Sequence, residues 1–292
     1  MQRRLERFDA KLAQSGLDAL LVTGQKNIYY LTDFWGTNAT VFITKNRRLF
    51  LTDSRYTLIA KQSVHGFDII ESKDPLKDIV KIIEADNLET IGFDNQVSFA
   101  YYQGLQAIFE GYTLSPQSNF MEELRMIKDE KELATIRKAC SISDRAFTDV
   151  LDFIKPGQTT ELQVANFLDF RMREYGASGI SFESIIASGY RSAMPHGVAS
   201  EKVIQSGETL TMDFGCYYNH YVSDMTRTIH IGDTTDEERE IYDIVLRSNQ
   251  ALIDAAKAGM TRRDYDKVAR DVIVEAGYGD YFYTWYRTRY RS

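Results

Sequence analysis

Cysteine is nearly absent from this chain: Cys140 and Cys216 are the only two in 292 residues. Their spacing forms no disulfide framework, so free thiols and a reducing compartment are expected, the cytoplasm by default. No apolar run approaches the roughly 18 residues that a bilayer span needs, which excludes a helical membrane anchor. Arg3, Arg4 and Arg7 are not followed by an apolar stretch, so no secretory leader is expected. An excess of positive charge is also missing. The chain carries 35 Lys+Arg against 42 Asp+Glu, a formal charge of −7, which argues against nucleic acid as a partner. What remains is the composition of an ordinary soluble globular protein, long enough for two domains and a sizeable core.

The first part of the chain mixes the two hydrophobic periods. Leu5, Phe8 and Leu12 recur at helical spacing, and Gly16 ends that helix. Residues 19–23, 39–43, 48–52, 67–70 and 90–93 read as strands. Lys45-Asn46 reads as a hairpin turn, and 54–63 and 76–84 as amphipathic helices. This interleaving predicts an α/β layer domain over residues 1–125. A charged segment from Glu122 to Glu132 then leads into a long helix, whose apolar face is expected to contain Leu133, Ile136, Ala139, Cys140, Ala146, Phe147, Val150 and Leu151. Lys155-Pro156-Gly157 ends it, and Thr159 or Thr160 caps the next helix. An internal repeat follows. Lys155-Pro156-Gly157-Gln158-Thr159 answers to Lys257-Ala258-Gly259-Met260-Thr261, and Glu174-Tyr175-Gly176 to Glu275-Ala276-Gly277. A helix pair therefore occurs twice in a second domain, residues 126–292.

The second domain is organised around residues 208–229. Leu210, Met212 and Phe214 alternate with Thr211 and Asp213, the period of a strand. Tyr221, Val222, Thr226, Thr228 and Ile229 supply a second strand. A turn at Tyr218-Asn219 would pair Tyr217 with His220, Gly215 with Val222, and Asp213 with Asp224. Two carboxylates facing each other repel unless a cation lies between them. Spacing alone leaves two readings open: a metal site, or two water-screened acids near a loop.

Asp213-Phe214-Gly215 with Ser223-Asp224-Met225-Thr226-Arg227-Thr228 resembles the first metal-binding segment of the pita-bread metallopeptidases. That family comprises prolidases, aminopeptidase P and methionine aminopeptidases, with the metal-free creatinases beside them. The resemblance implies that Asp213 binds one of two divalent ions (Mn, Co or Zn) and that Asp224 bridges both. Ser188 to Gly197 resembles the segment carrying the substrate-side histidine, which implies a catalytic role for His196. Asn27, Tyr30-Leu31-Thr32 with Phe34, and Thr52-Asp53-Ser54-Arg55-Tyr56 resemble the creatinase-type N-terminal domain, which disfavours the methionine aminopeptidases. The implied architecture is a creatinase-like α/β domain followed by a pita-bread domain, α/β (α+β) overall. The implied substrate is a short peptide with proline second, and the implied assembly is a homodimer.

The remaining ligands of that family, one His and two Glu, are expected after the second helix pair. No His follows His230, and the only Glu after Glu240 is Glu275. The chain is therefore expected to lack part of the pita-bread domain and to be inactive by itself, with a non-catalytic remnant or peptide-binding module as the alternative. The basic, aromatic ending supports the same expectation. A Phe-Thr-His-Gly-Ile-Gly-His-Gly-Ile-Gly segment, given suitable codons and one inserted T after the first, becomes Phe-Tyr-Thr-Trp-Tyr-Arg-Thr-Arg-Tyr-Arg, the residues from Phe282 to Arg291.

Overall fold

Residues 1–282 are described by the computed structural model. Its first helix, α1 (Gln2–Gln14), buries Leu5, Phe8 and Leu12 as their spacing requires. The unit Met1–Asp129 continues with β1 (Ala19–Val22), α2 (Gln25–Thr32), β2 (Ala39–Thr44), β3 (Arg48–Thr52), α3 (Thr57–Ser63), β4 (Asp68–Glu71), α4 (Pro75–Asp86), β5 (Thr90–Asp94), α5 (Phe99–Ile108), β6 (Thr113–Gln117) and α6 (Phe120–Met126). Its six strands make one sheet in the order β4-β3-β2-β1-β5-β6. β1 is antiparallel to β2 and parallel to β5, which is parallel to β6. Alternate residues of β1 feed opposite cores. Leu20 and Val22 join Phe8, Ile28, Leu31 and Phe120, while Ala19 and Leu21 join Ile79, Ile83, Leu105 and Phe109.

Two local expectations change. α3 begins at Thr57 rather than Ser54, because the Asp53 carboxylate first accepts from the Arg55 backbone and the Asp53 carbonyl from the Tyr56 and Thr57 amides. The charged segment after Asn119 is not one lead-in to a long helix. Phe120, Met121 and Leu124 bury one face of α6 in the first core, so α6 closes that unit and the next helix starts separately at Glu130.

The second unit begins with α7 (Glu130–Phe153) and α8 (Glu161–Glu174). Six strands follow: β7 (Gly179–Ile180), β8 (Ile185–Ser188), β9 (Glu208–Phe214), β10 (Cys216–Tyr218), β11 (Tyr221–Val222) and β12 (Met225–Ile231). They form two three-stranded sheets, β11-β10-β7 and β12-β9-β8. Leu210, Met212 and Phe214 point into a core shared with Ile142, Ala146 and Val150 of α7 and Val164, Leu168 and Met172 of α8. The stripe on α7 is Ala139, Ile142, Ser143, Ala146 and Val150, the 3.6-residue period. Cys140 and Leu151, expected on the apolar face, turn outward instead.

The repeat is realised in backbone geometry. α9 (Asp236–Ala255) and α10 (Arg262–Glu275) follow the strands. Gly157 and Gly259 both adopt positive φ, as do Gly176 and Gly277. Thr160 caps α8 and Thr261 caps α10, each through its side chain. Thr160, not Thr159, is therefore the counterpart of Thr261. Thr159 is an extra, buried residue whose hydroxyl accepts from the Lys155 amide at 2.9 Å. In the first copy the strands cover α7. In the second, Ile241 and Val245, which correspond to Ala139 and Ser143, stay exposed and line a groove of about 450 Å³. Val245→Ser is expected to change stability by no more than about 1 kcal/mol in a urea titration, because more than half of that side chain is already in solvent. Among the described residues no helix is long and apolar enough to cross a membrane.

Candidate metal centre

Asp213 is the last outward-facing residue of β9. Leu210, Met212 and Phe214 are buried, so the pleat sends Thr209, Thr211 and Asp213 to the opposite face. Across from them on β12 stand His230, Thr228 and Thr226. Thr211 and Thr228 share a hydrogen bond of 3.2 Å between their hydroxyls. The open face is thus a ladder of polar pairs that ends at Asp213 and Thr226.

The register differs from the expected one. The hairpin turns at Asn219 and His220, which both hold left-handed backbone (φ 45° and 67°). Tyr217 accordingly pairs with Val222, and Asp213 with Thr226 rather than Asp224. Asp224 lies one pleat repeat before Thr226, diagonal to Asp213. Diagonal neighbours on one face are about 7–8 Å apart, within reach of a shared ion and without head-on repulsion. Gly215 makes this crossing possible. A Cβ on it would stand 2.0 Å from the Ser223 carbonyl oxygen, so only glycine lets the two strands approach where they pass from one sheet to the other. Ser223 is pinned beside it. Its hydroxyl accepts from the Cys216 amide at 3.0 Å and is 2.6 Å from the Ser143 hydroxyl of α7. Cys216 is buried in this packing, as a small strand residue.

The electrostatics at Asp213 are unbalanced. Burial pushes its carboxyl above the ordinary value and the Asp224 charge adds to this, opposed by a hydrogen bond with Thr226. Its Oδ1 is buried and has no hydrogen-bond partner. A buried carboxylate oxygen without a donor costs free energy, and a cation at that oxygen removes the cost. The residues therefore fit a divalent ion with a preference for hard oxygen ligands. Among the described residues, no group of three or more His, Cys, Asp or Glu side chains gathers to hold one. Residues 283–292, where the shifted-frame reading falls, lie outside the described residues and contain none of these residue types.

His196 is exposed on a turn closed by the Gly197 amide donating to the Met194 carbonyl at 3.1 Å. Val198 then bridges Ile185, and Ile185 pairs with Asp213. Val198, Ile185, Asp213 and Thr226 form one row across the sheet. The three expected residues thus belong to one neighbourhood: His196 just before the row begins, Asp213 within it, Asp224 just before its last member.

A fourth residue organises that neighbourhood, and no motif announces it. Glu161, the first residue of α8, is fully buried. Its Oε1 accepts from the Ser188 amide and hydroxyl at 2.7 and 2.9 Å. Its Oε2 accepts from Arg191 Nε at 3.0 Å and from the Ser200 amide and hydroxyl at 3.2 and 2.7 Å. The carboxylate ties together both ends of the segment that carries His196. A signal existed in the sequence only as an acid beside the Thr160 cap, which reads equally well as a helix-start charge.

Comparison with known proteins identifies the family of the chain. The Creatinase/Prolidase N-terminal domain profile matches residues 4–127, and the Metallopeptidase family M24 profile matches residues 134–286. An uncharacterized peptidase of Bacillus subtilis, YqhT, is 40% identical over 281 residues, covering 96% of this chain and 79% of the relative. The Xaa-Pro dipeptidase of Pyrococcus furiosus is 34% identical, covering 97% of this chain and 80% of its own length. Among solved structures, a Xaa-Pro dipeptidase from Bacillus anthracis superposes with a TM-score of 0.92 at 38% identity, over 97% of this chain and 80% of that one. The chain belongs to metallopeptidase family M24, with a creatinase/prolidase-type N-terminal domain preceding the metallopeptidase domain.

Proposed function

We propose that the site is the centre of a metal-dependent Xaa-Pro peptidase, acting on short peptides with proline second, in which Asp213 and Asp224 hold the divalent ions. The observation that carries this reading is the orphaned, buried Asp213 Oδ1 beside a second carboxylate, on the polar face of the sheet. Two ions there, manganese, cobalt or zinc, would supply Lewis acidity that acidifies water and polarises the scissile carbonyl. Asp213 and Asp224 would contribute the anionic oxygens that hold them. His196 donates a hydrogen bond to the peptide carbonyl or to the oxyanion that develops from it. The Glu161 anchor limits where its segment can move. Cys140 and Cys216 are both free thiols, which suits a reducing compartment, the cytoplasm in our reading.

A second reading, a peptide-binding module without turnover, is favoured by one observation: no third ligand joins the two carboxylates among the described residues. Two carboxylates leave most coordination positions of an ion to solvent, and a Glu positioned as general base is also needed. The 292-residue polypeptide by itself is therefore expected to bind an Ala-Pro peptide in a manganese-dependent manner but to release no measurable proline. The test combines calorimetric titration of the peptide with a proline-release assay on the same sample. Metal-dependent cleavage would overturn the ligand count. Absence of any metal-dependent peptide binding would overturn the assignment of the site.

A further inference from the structure

The first unit contains a crevice at the place where its topology leaves a gap. β1, β5 and β6 are parallel neighbours, so their carboxyl ends lie along one edge of the sheet. From β1 the chain enters α2, whose Ile28 and Leu31 pack on one face. From β5 it enters α5, whose Leu105 packs on the other. Connections that leave adjacent parallel strands toward opposite faces cannot close the space between them. In open α/β sheets that space, outside the carboxyl ends, is where ligands bind.

Here the space is a crevice of about 350 Å³, within the range of small-molecule sites. Gly24 lines it after β1, Asp94 at the end of β5, Gln117 at the end of β6, Tyr101 on α5 and Glu122 on α6. Asp94 is only 9% exposed. Its Oδ2 accepts from the Thr23 and Gly24 amides, each at 3.2 Å, and its Oδ1 from Asn27 Nδ2 at 3.3 Å. Burial nevertheless pushes the Asp94 carboxyl above its ordinary value, the three hydrogen bonds opposing this and the nearby Glu122 charge adding to it. Among the described residues that line the crevice there are two carboxylates and no basic side chain. The nearby Arg125 guanidinium is engaged with Asn27 Oδ1 at 3.0 Å. The crevice is thus a net-negative, partly apolar hollow whose buried charge lacks a cation.

We propose that this crevice binds a small organic ammonium compound, with Asp94 and Glu122 receiving the ammonium group and the Tyr101 ring covering the apolar body. None of these residues belongs to the candidate metal centre, so the site is a second one on the same chain.

The test is titration of the full ¹⁵N-labelled chain with benzylamine, and in parallel with benzyl alcohol, which has nearly the same shape without the charge. Benzylamine is expected to shift the Gly24, Asn95 and Ser98 amides saturably, with benzyl alcohol binding about tenfold more weakly or worse. Asp94→Asn should weaken benzylamine binding by about tenfold, the loss expected for a hydrogen bond to a charged group. Because Asp94 also accepts from two backbone amides, Glu122→Gln is the second variant. Glu122 is half-buried and bonds the Gln96 side chain at 3.2 Å, so its replacement should leave the fold intact and weaken binding about threefold. Asp213→Asn should leave the titration unchanged. Unsaturable shifts, equal binding of the alcohol, or a folded Asp94→Asn and Glu122→Gln pair that bind like the parent chain would each overturn the proposal.

Discussion

Replacing Glu161 by alanine is expected to lower the stability of the second unit by about 3–5 kcal/mol, the cost typical of removing one partner from a buried ion pair. The side chain is fully buried and accepts from five donors on Ser188, Arg191 and Ser200. Removing it leaves the Arg191 guanidinium, about one-fifth exposed, without its carboxylate, and strands two backbone amides. Glu161→Gln keeps an acceptor but gives up the charge, so a smaller loss of about 1–2 kcal/mol is expected. The measurement is the urea midpoint of the second unit's transition, at constant slope. A local readout separates anchoring from general destabilisation. In Glu161→Ala, protease should cut between Tyr190 and Val198 under conditions that leave both units folded. If the midpoint moves by less than about 0.5 kcal/mol and the segment stays protected, Glu161 does not anchor the His196 segment.

How much of this was legible in the sequence follows from the range of each interaction. The alternation of Leu210, Met212 and Phe214 with Thr211 and Asp213 is local, and it placed Asp213 on the open face as expected. The hairpin register was not legible to the residue. Asn219 fits the turn at either its first or its second position, and only the left-handed backbone of both Asn219 and His220 fixes which. The resulting error was two residues, from Asp224 to Thr226 as the partner of Asp213. Because side chains repeat every two residues along a strand, that slip changed the partner while preserving the face. The neighbourhood of Asp213 and Asp224 survived the error for that reason. The helix repeat was legible because glycines with positive φ and threonine caps are local devices. Its alignment was one residue off where the first copy carries the extra Thr159. The Glu161 cluster was not legible at all. Its partners lie 27 to 39 positions away, and nothing in a serine or an arginine announces such a contact. The same applies to the crevice at Asp94, whose Thr23, Gly24 and Asn27 partners lie 67 to 71 positions earlier.

Manganese is expected to raise the unfolding midpoint of the parent chain and to leave that of Asp224→Ala unmoved. In the metal-free state the Asp213 carboxylate is disfavoured by burial and by its neighbour's charge. An ion that binds only the folded state stabilises it by about 2.7 kcal/mol when present at a hundredfold excess over its dissociation constant. With two carboxylates as the protein ligands, that constant should be high, so the midpoint should still be climbing at millimolar manganese and should return to its starting value after chelation. Asp224→Ala would remove one proposed ligand and the repulsion together, so the metal-free variant should be at least as stable as the parent while its metal response disappears. Asp213→Asn makes a sharper distinction. It replaces a partly buried charge by a neutral amide, so it should stabilise the metal-free chain slightly, by less than about 1 kcal/mol, and abolish the response to manganese. A general effect of divalent ions on an acidic protein would raise all three midpoints alike. An Asp224→Ala chain that keeps the parent's full response would place the ion elsewhere, and the pairing of Asp213 with Asp224 as metal ligands would have to be abandoned.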